Sequence, residues 1–166
     1  MTLKEIILKQ MAACYNETNW LVTTQTALKD VTSEQASWHG LGPKHNILEL
    51  VNHLIFWNER YLNRFKGTTQ TKIEVGNEQT FGANKPVMTE DEWQALMLKL
   101  DTILSELYDE VKNADENKLQ SSAAGGQDDS WYSVLANVII HNAYHIGQIV
   151  SLRKEQGSWN PETGVN

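Results

Sequence analysis

The chain has 166 residues, 40% of them apolar, and carries a formal net charge of −7. That length suffices for a single domain, residues 1–166, with a sizeable core. The acidic balance and scattered lysines and arginines argue against a nucleic-acid partner, and no apolar run approaches the ~18 residues of a membrane span.

The first helix is predicted from Leu3 to about Lys29. Thr2 followed by Glu5 is a capping-box pattern. Leu3, Ile7, Cys14, Leu21 and Leu28 fall on one face, although Gln10, Glu17 and Thr24 dilute the stripe. The start carries an acid, Glu5, and soon becomes amphipathic, which does not suit a signal peptide, so a cytoplasmic location is expected. Cys14 is the lone cysteine, which excludes an intramolecular disulfide and any cysteine-rich metal site. Its neighbours Ala12, Ala13 and Tyr15 offer no electropositive setting, so it reads as a small buried hydrophobe.

Residues 30 to 45 read as a loop, broken by Asp30, Thr32, Ser33, Gly40, Gly42 and Pro43. Asn46 then caps a second helix, with Glu49 as its reciprocal partner and Gly67 as its stop. Ile47, Leu50, Val51, Leu54, Ile55, Trp57, Tyr61, Leu62 and Phe65 make this helix strongly apolar. Residues 67 to 88 lack helical periodicity and carry Gly76, Gly82 and Pro86. About twenty residues is long for a link between adjacent antiparallel helices, which usually takes about 2–8, but it can return the chain parallel to the second helix.

Thr89 and Glu92 open a third helix with Trp93, Leu96, Met97, Leu100, Ile103, Leu104, Leu107 and Val111 facing the core. Residues 113 to 129 are polar and small, with Gly125-Gly126 and Asp128-Asp129. Ser130 is the predicted cap of a fourth helix, with the aspartates favourable at its positive end. Val134, Leu135, Val138, Ile139, Tyr144, Ile149 and Leu152 are expected to bury it, and Gly157 and Pro161 to end it. The six tryptophans are spread along the chain and read mostly as core or pocket wall. The expected fold is all-α: a four-helix bundle with one long crossover between helices two and three.

The fourth helix carries His141 and His145, whose i, i+4 spacing stacks both imidazoles on one face. His53 on the second helix could complete a three-histidine metal site. Neutral imidazole suits zinc, nickel, iron and copper, and three such ligands leave a divalent ion its full charge. A histidine pair alone is weak evidence, because helical histidines are also found exposed or hydrogen-bonded in cores. The apolar settings strengthen the case, since buried imidazoles without partners are costly. His39 and His45 lie near the loop before helix two and read as exposed or locally bonded. Glu49, Trp57, Asn137 and Gln148 fall about one turn from these histidines, as orienting or pocket residues. Glu49 reads first as the capping-box residue and Trp57 as a pocket wall. Gly147 would allow a close helix approach. No residue stands out as a general acid or base.

The stretches Asn46-Ile47-Leu48-Glu49-Leu50-Val51-Asn52-His53-Leu54-Ile55-Phe56-Trp57-Asn58-Glu59-Arg60 and His141-Asn142-Ala143-Tyr144-His145-Ile146-Gly147-Gln148 resemble the second and fourth helices of the DinB family, within the DinB/YfiT-like metalloenzymes. The resemblance covers nearly the whole chain, and the order and separation of the three histidines match. It implies an up-down-down-up bundle and a homodimer packed through helices. It implies His53, His141 and His145 as ligands to a divalent metal, zinc or nickel first, with iron or manganese as alternatives. Some members of that family are S-transferases or isomerases that use low-molecular-weight thiols. The leading expectation is therefore a metal-dependent thiol S-transferase, with a metal-dependent hydrolase as a close variant. A non-catalytic metal- or ligand-binding stress-response protein, and a plain bundle with structural histidines, are the competing readings.

Overall fold

The computed structural model describes residues 1–40, 45–68, 75–82, 88–123 and 129–164. Seven α-helices appear among them: α1 Leu3–Tyr15, α2 Thr24–Leu28, α3 Ser33–Ser37, α4 Ile47–Lys66, α5 Glu90–Asn113, α6 Glu116–Gln120 and α7 Trp131–Glu155. Two 3₁₀ turns, Asn77–Phe81 and Pro161–Thr163, complete the set. The fold is an all-α bundle built on the four long helices α1, α4, α5 and α7.

Local chemistry sets where these four begin. Reciprocal capping boxes open α1 (Thr2 with Glu5), α4 (Asn46 with Glu49) and α5 (Thr89 with Glu92), and the Ser130 hydroxyl caps α7. Gly67 takes a left-handed φ of 74° to end α4, and Gly157 does the same at 75° just past α7.

Cross-helix pairs fix the direction of each helix. Glu59 and Lys66 of α4 pair with Lys99 and Glu106 of α5, so these two run parallel. Phe65 packs on Trp131, and Asn58 bonds Asn142, so α7 runs antiparallel to α4. Lys4 reaches Ala114 O and Tyr15 reaches Asp101, so α1 runs antiparallel to α5. The order is up-down-down-up, and α1 touches α5 and α7 while α4 touches α5 and α7. Only a long crossover permits the parallel pair α4 and α5.

Three expectations need correction. The first helix is not continuous to Lys29: it stops at Tyr15, and a separate short helix starts at Thr24. Asn16, Thr18 and Asn19 lie in the break, and such side chains compete for local backbone bonds. Thr23 then caps α2, and buried Thr24 folds it back by donating to Cys14 O. Leu3 and Leu21 of the supposed stripe are exposed. The segment 30–45 is not all loop, because Thr32 and Gln35 form a capping box for α3. Tyr144 is 63% exposed rather than buried. The breaker positions Gly42, Pro43, Pro86, Gly125, Gly126 and Asp128 lie outside the described residues.

The core fills the space between the long helices. Trp93 is fully buried and donates Nε1–H to Val31 O at 2.6 Å, holding the loop after α2 against α5. Cys14 is buried, and burial pushes its thiol up to about 11.

Candidate metal centre

His53 projects from the middle of α4, and His141 and His145 from the middle of α7, where these antiparallel helices face each other. His53 and His145 are buried and His141 is half-buried. His141 Nε2 lies 3.0 Å from His53 Nε2 and 3.1 Å from His145 Nε2. One ligand atom from each of the three residues lies within 4.8 Å of the others, and the group could hold a metal ion.

The outward nitrogens set the tautomers. Thr80 Oγ1 donates its proton to Asn77 O at 2.6 Å, so towards His53 it can only accept. His53 Nδ1 therefore carries the proton. His145 Nδ1 faces the Gln148 carbonyl Oε1 at 2.6 Å and carries its proton for the same reason. Both Nε2 atoms are then bare lone pairs aimed at His141 Nε2, which has at most one proton to give. Tetrahedral zinc with Zn–N of ~2.0–2.1 Å would hold its nitrogens about 3.3 Å apart, close to the two spacings here. The donor set and its oriented outer bonds fit a divalent ion.

All three imidazoles are held towards the neutral form. Burial pushes His53 down to about 3, helped by neighbouring His145, His141 and His45. Burial lowers His141, with His145 adding to it. Burial also lowers His145, while the bond to Gln148 works the other way. Neutral imidazole is the ligating form.

The group lies in the wall of a cavity of about 580 Å³. Trp57, Asn137 and Gln148 also line it, and Gln148 bonds His145 directly. Glu49 makes no bond to His53; it accepts from Asn46 N at 3.1 Å and pairs with His45 Nδ1 at 3.2 Å. His39 bonds Asn46 and lies apart from the three-histidine group. Gly147 is exposed, with open space where a Cβ would stand, so no close helix approach depends on it.

The crossover supplies what periodicity could not foresee. Its 3₁₀ turn brings Thr80 to His53 and lays Phe81 flat on the His53 ring at 3.9 Å. His45 stacks on the other face of Phe81 at 3.7 Å and is a cavity residue. Tyr61, Asn77, Val138 and Tyr144 also line it. The one sequence hint was Phe81 itself, an aromatic stranded in a polar connection.

Against known families, residues 17–149, more than half of the chain, match the model described as the DinB superfamily. No curated protein and no solved structure matches the chain.

Proposed function

This chain belongs to the DinB superfamily, and from that premise we propose that it is a divalent-metal-dependent enzyme of the thiol S-transferase type. His53, His141 and His145 would hold the ion, zinc or nickel by donor chemistry. A divalent ion bound there supplies Lewis acidity and lowers the pKa of a coordinated thiol or water. The chain's own residues do the rest. Thr80 and Gln148 hold the His53 and His145 rings with Nε2 inward. Trp57, Tyr61, Phe81 and Tyr144 give the substrate an aromatic wall, and Asn77 and Asn137 offer it neutral amides.

The observation that carries this reading is the convergence of bare lone pairs. Two Nε2 atoms with no proton face a third at 3.0 and 3.1 Å. A divalent cation relieves all three at once. The thiol is preferred to water because a thiolate is already a strong nucleophile and needs less proton-transfer machinery. A homodimer packed through helices belongs to the same reading, supported by Ile140 standing 66% exposed on α7.

Elemental analysis of untagged protein, beside His53→Ala and His141→Ala, tests the site. About one divalent ion per chain, absent from both variants, is expected. The metal-loaded protein should then speed conjugation of a small thiol to chlorodinitrobenzene. No metal after reconstitution with zinc and nickel sinks the reading. Stoichiometric metal without any conjugation would leave a metal-binding protein and remove the transferase.

A further inference from the structure

His45 is a fourth histidine on the same cavity, held differently from the other three. Phe81 lies between it and His53, parallel to both rings, with interplanar angles of 1° and 9°. The His45 ring is thus held against the face of Phe81 that points away from His53. Its Nδ1 faces Glu49 Oε2 at 3.2 Å. A carboxylate only accepts, so Nδ1 carries the proton and Nε2 is free to take one. Glu49 is itself fixed, because Oε2 also accepts from Asn46 N in the capping box. Its side chain is 17% exposed, while that of His45 is 35% exposed.

We propose that His45, oriented by Glu49, accepts the proton of a thiol that enters the three-histidine cavity. The inference rests on the metal reading above. The S–H bond breaks, its electron pair stays on sulfur, and the proton moves to the lone pair of His45 Nε2. The imidazolium so formed sits between two carboxylates, Glu49 on Nδ1 and Glu78, whose Oε2 is 3.9 Å from Nε2. Among the described residues, His53 from α4 and His145 from α7 are also coupled to it electrostatically. Glu78, 84% exposed, gives the proton a route to solvent. The arrangement is a carboxylate–histidine dyad, in which the acid fixes the tautomer and the free nitrogen exchanges the proton. His45 reads from sequence as a loop histidine and Glu49 as a cap; the fold gives each a second role.

The test uses the full chain loaded with cobalt(II), with benzyl mercaptan as the probe. Thiolate formation is followed by sulfur-to-cobalt absorbance. His45→Gln should keep its cobalt, associate with the thiol roughly tenfold or more slowly, and regain speed with added imidazole. Glu49→Gln retains the capping box, because glutamine serves at that position, and should slow association by a smaller factor. A His45→Gln variant with full cobalt and a wild-type rate overturns the proposal. Wild-type protein that holds cobalt but gives no thiolate band overturns it too, leaving the metal site standing. Failure to hold cobalt at all removes the metal reading itself.

Discussion

Replacing Asn58 with leucine measures what the buried amide pair between α4 and α7 contributes. Asn58 is fully buried, and Asn142 is 7% exposed. Asn58 Nδ2 donates to Leu54 O at 2.8 Å and to Asn142 Oδ1 at 2.9 Å, and Asn142 Nδ2 donates back to Asn58 Oδ1 at 2.9 Å. Leucine has nearly the same size, so the substitution makes no large cavity. It does strip Asn142 of both bonds to Asn58 in a place with little access to water. Each buried polar group left without its partner costs about 1–3 kcal/mol. With two such groups, partly offset by the leucine's own burial, Asn58→Leu should destabilise by roughly 3 kcal/mol. In a chain this long that lowers Tm by about 6–12 °C. Asn142→Leu should cost a similar amount. The double variant Asn58→Leu/Asn142→Leu leaves no polar group of the pair behind and should return to within about 1 kcal/mol of the wild type. Urea denaturation of all four proteins in chelator gives the coupling energy, and equal m-values license the comparison. Two additive single effects would refute the reasoning, because they would mean that the amides do not depend on one another.

Thr80→Val removes the acceptor of His53 Nδ1 and should weaken zinc binding by about 10–100-fold, with the fold retained; chelator competition reads this, and an unchanged affinity would deny Thr80 an orienting role. Burial pushes the Cys14 thiol up to about 11, and the thiolate is the reactive form. Alkylation by iodoacetamide at pH 8 should therefore be slow in the native protein, quicken as pH rises towards 11, and be fast in urea. Labelling at pH 8 as rapid as for an unfolded cysteine would contradict this. Trp20 is 90% exposed, so Trp20→Ser should change stability by less than about 0.5 kcal/mol in thermal melts. Trp93→Ala, which empties a fully buried site, should cost about 3–5 kcal/mol in the same assay.

Much of the bundle is legible in the chain because helix ends are local events. Thr2 with Glu5, Asn46 with Glu49 and Thr89 with Glu92 act over three residues, so residue type and spacing suffice to place them. The apolar stripes of α4 and α5 are legible for the same reason. The break after Tyr15 was not, because Cys14, Leu21 and Leu28 keep heptad spacing whether or not a helix joins them. A stripe records separation along the chain and is blind to a loop of the right length.

The candidate site divides along the same line. That His141 and His145 share a face follows from sequence alone, since helical rise and twist put i and i+4 together. That His53 meets them required the antiparallel register of α4 and α7, set by packing and by buried pairs such as Asn58 and Asn142. Thr80, 27 residues from His53, and Phe81, stacked between His45 and His53, reach the cavity through the crossover. No periodicity marks them, because their positions answer to distant side chains. The sequence by itself determined where the four long helices begin and which histidines could act as ligands. Only the tertiary structure decided which nitrogens converge and what holds them, because those contacts join residues whose separation along the chain carries no geometric signal.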